Sequence, residues 1–280
     1  MMGWETRCRS SGAEGGQVTT AFILASSDHG PLIVNRLDYN HNFNGDFYGV
    51  GAQIMEGGCY DPREVQTLKN LLLCRRQHFG DGVVALDAGA NIGVHSLEWS
   101  RLMRGWGSVV AIEAQERIFY ALAGNLVLQN AFNARAIHAA ISDSDGELSF
   151  PEPNYTQSGS FGSFELRPRV GSEFIGQPVD YAKPTITVRQ LSLDSLELPR
   201  VDLIKMDIEG MEAEGLDGAS ETIKRCKPIL YVETIKSDKN AIKVALMSED
   251  YVVYPHGMNI MALHKDDPTL ENIATRKEAA

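Results

Sequence analysis

Several stretches of this sequence put carboxylates and glycines where they could handle a ligand. The first is Val83-Val84-Ala85-Leu86-Asp87-Ala88-Gly89-Ala90-Asn91-Ile92-Gly93. It reads as a buried strand, a tight turn and the start of a helix. Asp87 stands at the strand end, where side chains of an open α/β sheet meet ligands. Gly89 and Gly93 bracket the turn and would let a ligand come close to the backbone. The spacing Asp-x-Gly-x-x-x-Gly departs from the Gly-x-Gly-x-x-Gly turn that seats a pyrophosphate on a helix N-terminus. An acid ahead of the turn repels phosphate and suits a cationic or hydroxyl-rich ligand. S-adenosylmethionine has an ammonium, a sulfonium, a ribose and no phosphate, and is such a ligand. A glycine turn kept for packing alone is the alternative.

A second apolar strand, Gly107 to Ile112, ends in Glu113. Nucleotide-binding βαβ units place a ribose-binding carboxylate at about this interval after the glycine turn. A carboxylate can accept from both hydroxyls of a ribose diol; a solvated strand end is the plain alternative. Two further strands end in acids, at Asp207 with Glu209 just beyond and at Glu233.

The elements that must position these residues alternate. Strand 83–87 leads to helix 92–104, strand 108–113 to helix 116–131, and 134–141 reads as a third strand. Such alternation implies a parallel sheet with right-handed crossovers. Residues 145–150 read as an added strand, 151–183 as a long loop without periodicity, and 186–188 as strand again. A fourth core strand, 201–207, precedes a helix over 211–225; a fifth, 228–233, precedes a helix over 239–249. Two closing strands, 251–254 and 260–264, form an antiparallel hairpin at one end of the sheet. Upstream, 22–24 and 31–34 flank a turn and read as a hairpin. Asp61-Pro62-Arg63-Glu64 opens a helix with Asp61 as cap. The expected organisation is a loosely attached N-terminus over 1–27, a cap over 28–80, a catalytic domain over 81–265 carrying the 151–183 loop, and a tail over 266–280.

The chain has 280 residues, 43% of them apolar, and a net charge of −11. That balance argues against a broad electrostatic grip on nucleic acid or anionic membrane, so neither is an expected partner. No apolar run reaches the ~20 residues that span a bilayer, and the N-terminus lacks a signal peptide's apolar core. Cys8, Cys59, Cys74 and Cys226 have no Cys-x-x-Cys spacing and suit a reduced, cytoplasmic protein.

The segment Asp202-Leu203-Ile204-Lys205-Met206-Asp207-Ile208-Glu209-Gly210-Met211-Glu212, followed by Leu216-Asp217-Gly218-Ala219, resembles the signature of FkbM-type methyltransferases. Leu86-Asp87-Ala88-Gly89-Ala90-Asn91-Ile92-Gly93 resembles that family's cofactor loop. Leu193-Asp194-Ser195-Leu196 and Lys227-Pro228-Ile229-Leu230-Tyr231-Val232-Glu233 extend the likeness over residues 28 to 265. The resemblance implies an α/β class I methyltransferase fold: a Rossmann-like, doubly wound sheet of about seven strands, the last antiparallel, behind an N-terminal cap. It implies methyl transfer from S-adenosylmethionine to a hydroxyl of a small-molecule acceptor, such as a sugar or secondary metabolite. An amine acceptor, or a non-enzymatic S-adenosylmethionine-binding protein, is the alternative.

The same resemblance supports Asp87, Gly89, Ala90, Asn91 and Gly93 as the cofactor loop and Glu113 as the ribose acid. It puts Asp143, at the end of the third strand, where such enzymes hold the adenine amino group; a plain turn residue is the alternative. Alternation along an extended exit would put Asp207 and Glu209 on one side. One would accept a proton from an attacking hydroxyl, and the other would hold the amino group of methionine. Glu233 on the neighbouring strand is a third candidate for catalysis. Acids so close repel unless something positive joins them, and a divalent cation such as Mg2+ is one way to supply it. For each acid singly, a cap or salt bridge is the plain alternative. His95 reads as a cofactor neighbour or a core histidine. The N-terminal segment and the 151–183 loop read as lid and acceptor pocket.

Overall fold

Apolar runs of strand length alternate with amphipathic helices along the chain. The computed structural model, which describes residues 20–41, 45 and 47–272, folds them in that order. The cap comprises β1 (Phe22–Ala25), β2 (Leu32–Asn35), β3 (Asn40–His41), β4 (Phe47–Tyr48), α1 (Val50–Gly57) and α2 (Pro62–Phe79). The first core units are β5 (Val83–Ala88), α3 (Val94–Leu102), β6 (Gly107–Glu113), α4 (Glu116–Leu128) and β7 (Ala134–His138). Then come β8 (Ala140–Ile141), β9 (Gly146–Phe150) and β10 (Ile186–Leu191). The chain closes with β11 (Leu203–Met206), α5 (Glu212–Asp217), α6 (Ser220–Cys226), β12 (Ile229–Glu233), α7 (Lys239–Ser248), β13 (Tyr251–His256) and β14 (Asn259–His264).

The main sheet has seven strands in the order β13-β14-β12-β11-β5-β6-β7. β14 alone runs antiparallel to its neighbours in this sheet. Both faces are covered. Leu68, Leu71 and Leu72 of α2 and Trp99 of α3 pack on Val83, Ala85, Val109 and Leu203. Leu216, Ile223, Ile242 and Leu246, from α5, α6 and α7, pack on Leu86, Val110, Ile204 and Leu230. Burial on both faces is why these strands read as continuous apolar runs. The carboxyl ends of β5, β6, β11 and β12 then lie side by side, which brings Gly89, Glu113, Asp207 and Glu233 to one rim.

The structure corrects the sequence reading at several points. The third strand is two: after His138 the chain leaves the main sheet, and β8 pairs instead with β10 in a three-stranded sheet of order β8-β10-β9. The helix expected over 211–225 breaks into α5 and α6 at Gly218, where a Cβ would overlap the carbonyl oxygen of Ser142. Asp61 precedes α2 without capping it through its side chain and adopts a left-handed φ of 35°. Residues 1–19 lie outside the described residues, but Phe22–Ala25 is no loose end. It pairs with β2, and Asn125 of α4 clamps that hairpin by accepting from Ile33 N at 2.6 Å.

The segment read as a C-terminal tail begins as packed structure, with Asp267 and Thr269 buried. Arg75 explains this. Its Nε donates to Asp202 Oδ1 at 3.2 Å and its Nη1 to Asp267 Oδ2 at 2.7 Å, tying α2 to the start of β11 and to the chain end. All three side chains are at most 5% exposed. Removing Arg75 strands the buried Asp267 carboxylate, while Asp202 keeps Arg200 at 2.8 Å, so Arg75→Met is expected to cost about 3 kcal/mol. Urea denaturation measures it.

Candidate active site

The turn after β5 is built on backbone contacts. Gly89 N and Ala90 N both donate to Ile112 O, at 3.0 and 2.9 Å. Gly89 has φ 78°, and a Cβ there would overlap the carbonyl oxygen of Asp207. At Gly93 (φ 90°) a Cβ would lie 2.5 Å from Leu122 Cδ1. Both glycines are thus required by neighbouring protein: Gly89 lets the β5 turn sit against the β11 exit, and Gly93 lets α3 start against α4. The sequence reading assigned this space to the ligand.

Glu113 is buried under that turn. Asn91 N donates to its Oε2 at 2.9 Å and Gln115 N to its Oε1 at 2.8 Å. Each oxygen keeps a lone pair to accept with, a pair of acceptors to which the two hydroxyls of a vicinal diol can donate. Burial pushes this carboxyl up to about 7, against the pull of the backbone N–H groups of Gln115, Asn91 and Ala114. Asp87 lies deeper, 1% exposed, with Oδ2 accepting from Ser96 Oγ at 2.6 Å. Its Oδ1 has no hydrogen-bond partner among the described residues.

The exit of β11 is a turn, not the extended segment expected. Glu209 (φ 55°) and Gly210 (φ 94°) are both left-handed. The carboxylate of Glu212 organises the turn, its Oε1 accepting from Ile208 N and Gly210 N at 3.0 and 3.1 Å. Asp207 and Glu209 nevertheless both face the same cavity. Two lysines supply the positive charge that the sequence reading sought from cofactor or metal. Lys205 Nζ lies 3.1 Å from Asp207 Oδ2, and Lys236 Nζ lies 2.6 Å from Glu209 Oε2 and 3.0 Å from Glu173 Oε2. Burial alone would lower the Lys205 ammonium's pKa; Asp207, Asp87 and Glu64 outweigh it and raise it. Among the described residues no group of three or more His, Cys, Asp and Glu side chains is arranged to hold a metal ion.

Glu233 differs from its two neighbours. It makes no ion pair among the described residues, and its Oε2 is buried without a hydrogen-bond partner. Burial, with Asp207 and Glu212 nearby, pushes its carboxyl up to about 7.

These groups line one cavity of about 660 Å3, bounded by Gly89, Ala90, Asn91, Glu113, Asp207, Glu209 and Glu233. Gly93 and Asp87 support it from behind. Asp143 is not part of it. Because the chain departs from the main sheet after His138, Asp143 falls in an exposed turn, where its Oδ1 accepts from Ser144 Oγ at 2.8 Å. Ala139 and Ile141 line the cavity instead. The loop 151–183 contributes Ser160, Ser163, Phe164 and Glu173, and the cap contributes Tyr48, Gln53, Tyr60 and Glu64. Sequence reasoning missed Lys205 and Lys236. Lys205 was visible as a lone charge in an apolar strand; Lys236 sits in a polar loop and gave no signal.

A family model for the methyltransferase FkbM domain matches residues 87–256. The chain belongs to this family. Its fold and its chemistry are those of S-adenosylmethionine-dependent methyltransferases. The methyltransferase FkbM of Methylobacillus flagellatus KT is similar at 17% identity and a TM-score of 0.46, over 66% of this chain and 43% of that one. This chain thus spans less than half the length of that protein. The precorrin-6y C5,15-methyltransferase of Geobacter metallireducens GS-15 is similar at 15% identity and a TM-score of 0.41, over 72% and 87% of the two chains. An S-adenosylmethionine-dependent methyltransferase from Aquifex aeolicus is similar at 15% identity and a TM-score of 0.33, over 73% and 97%. No curated protein matches the chain.

Proposed function

We propose that this chain methylates a hydroxyl of a small polyhydroxylated acceptor, such as a sugar, and that Glu233 takes the proton. The observation that carries this is the inequality of the three rim acids. Asp207 and Glu209 are each paired with a lysine, whereas Glu233 has an unspent oxygen and a carboxyl poised near 7. A general base works best with its pKa near the working pH. An amine acceptor needs no such base once it is neutral.

The residues present fit S-adenosylmethionine: Glu113 for the ribose diol, the Gly89–Asn91 turn beneath the thioether, and Ala139 and Ile141 as an apolar wall for the base. When bound, this donor supplies an electrophilic methyl group on a sulfonium. The chain's own part is alignment, exclusion of water and removal of one proton. Asp207 and Glu209, fixed by their lysines, hold the rim in place. Loop 151–183 and the cap, which line the far side, form the acceptor wall. Incubation with a labelled methyl donor and a panel of hydroxylated and amine-bearing small molecules tests the reading. Label is expected on oxygen; transfer confined to amines would reject it.

Glu113 gives a second test. Ribose hydroxyls donating to its carboxylate favour the ionised form and lower its pKa from about 7. Binding of S-adenosylhomocysteine between pH 6 and about 7 is therefore expected to release a proton, and release should fade by about pH 8, where the free carboxyl is already ionised. Calorimetry in buffers of different ionisation heat counts that proton. Stability of the free protein follows the opposite logic. The folded state holds this proton up to about 7, the unfolded chain only to 4.5, so stability falls as pH rises through that window.

A further inference from the structure

The loop and the cap that line the far side of the cavity are remote in sequence from the rim acids, so some contact must set the distance between wall and rim. The turn 165–173 reaches across to that rim. It leaves the apolar centre of the small sheet at Phe164 and Leu166 and returns to it at Ile175. Glu165 shapes the turn. It is 4% exposed, its Oε1 accepts from Glu173 N at 3.1 Å and its Oε2 from Ser172 Oγ at 3.0 Å. A buried carboxylate accepting from two successive residues fixes where the turn presents Glu173.

Glu173 bridges two other parts of the chain. Its Oε1 accepts from Tyr48 OH of the cap at 2.8 Å, and its Oε2 lies 3.0 Å from Lys236 Nζ, just beyond Glu233. Both partners are held independently. Asn40 Nδ2 donates to Tyr48 OH at 2.8 Å and to Phe174 O at 2.7 Å, a second tie between cap and turn. Lys236 Nζ also donates to Ser163 O and to Glu209 Oε2, both at 2.6 Å. An ammonium has three donors, and these three acceptors use them all. Arg169 of the same turn donates to Lys236 O. Exposed ion pairs contribute little to stability. This one is 11% exposed at Lys236 and 35% at Glu173, and it joins cap, loop and rim at one point. Tyr48, Glu173, Glu209 and Glu233 all face the cavity.

We propose that Glu173 is a positioning residue for the acceptor: by joining Tyr48 to Lys236 it sets the acceptor wall at a fixed distance from the rim that carries Glu233. The proposal rests on loop 151–183 and the cap being that wall. A wall that holds the acceptor equally before and during transfer acts on KM and leaves kcat.

Hydrogen exchange and steady-state kinetics on the full chain test it together. Glu173→Ala leaves Lys236 with Glu209 and Ser163, so no buried charge is stranded and the urea midpoint should barely move. Amides of 163–174 are expected to exchange roughly 10-fold faster. With donor saturating, the hydroxylated compound that takes label fastest should show a KM raised roughly 10-fold and a kcat within about three-fold. S-adenosylhomocysteine affinity should stay within about two-fold, because Glu209 keeps its lysine. Tyr48→Phe cuts the same bridge from the cap side. It should move exchange and KM in the same direction, and the two substitutions together should give less than their sum. Unchanged exchange in Glu173→Ala would overturn the proposal, and a raised KM alongside it would make Glu173 a direct contact of the acceptor. Faster exchange with an unchanged KM would overturn it too, since other contacts would then set the wall. An unaltered chain that labels no hydroxyl rejects the hydroxyl-acceptor reading itself, and exchange alone then decides whether Glu173 holds the turn.

Discussion

Glu233→Gln is expected to slow methyl transfer by roughly 10²–10⁴-fold, the usual worth of a positioned base, with S-adenosylhomocysteine affinity kept within about two-fold. The rate of the unaltered chain should rise with pH through about 7 and then level, because Glu233 must first lose its own proton. The variant should lack that limb. Asp207→Asn and Glu209→Gln are expected to behave differently. Asp207→Asn takes the carboxylate from Lys205, and Glu209→Gln leaves Lys236 with Glu173 alone, so affinity and stability should fall along with rate, more for Asp207→Asn. Treatment with EDTA is expected to leave the rate unchanged. Activity restored by magnesium would show a cation doing what the lysines are assigned here. A Glu233→Gln enzyme with full activity would pass the proton-acceptor role to another group.

Gly89→Ala carries the largest expected structural effect. The new Cβ overlaps the backbone carbonyl of Asp207, which no side-chain rotation can relieve, and the residue must hold φ 78°. Left-handed strain and overpacking add, for an expected loss of about 3–5 kcal/mol and of measurable S-adenosylhomocysteine binding. Gly105→Ala is the control. Its φ is 84°, but nothing lies within 4 Å of the added carbon, so only about 1 kcal/mol is expected. Urea midpoints compare the two. Equal midpoints would show that the β5 turn and the β11 exit can move apart.

The parallel core was legible because its strands are buried on both faces. Val83–Ala88, Gly107–Glu113 and Ile229–Glu233 appear as apolar runs ending in acids, and the closing hairpin announces itself through Gly257. The residues 134–141 were read as one strand because apolar pattern persists across His138; nothing local says that the chain changes sheets there. That change misplaced Asp143. The break between α5 and α6 was equally hidden, since Gly218 is excluded from bearing a side chain by Ser142, which is far away in sequence. At the site, the acids were found because they follow strands in a repeated pattern. Their counter-charges were not, because pairing of Lys236 with Glu209 and Glu173 joins three separate connections.

The small sheet changes how the acceptor wall can vary. Phe150 and Ile186 are directly paired across β9 and β10, so the chain leaves and re-enters at one point. The segment between them is tied back to the body of the protein by Tyr155 and Phe161, which pack with Leu32, Ile92 and Leu122. It also carries its own apolar centre, in which Phe164, Leu166 and Ile175 pack on Phe150 and Val188. Lengthening a loop whose ends are already joined costs only about 0.6 kcal/mol per doubling. Insertion in its exposed turn, where nothing lies within 4 Å of an added carbon at Gly171, therefore leaves the seven-stranded sheet where it is. The donor-handling rim is a fixed chassis, and its acceptor wall can be retuned at the exposed turn around Gly171 so long as Tyr155, Phe161 and Glu173 stay to anchor the segment and hold Lys236.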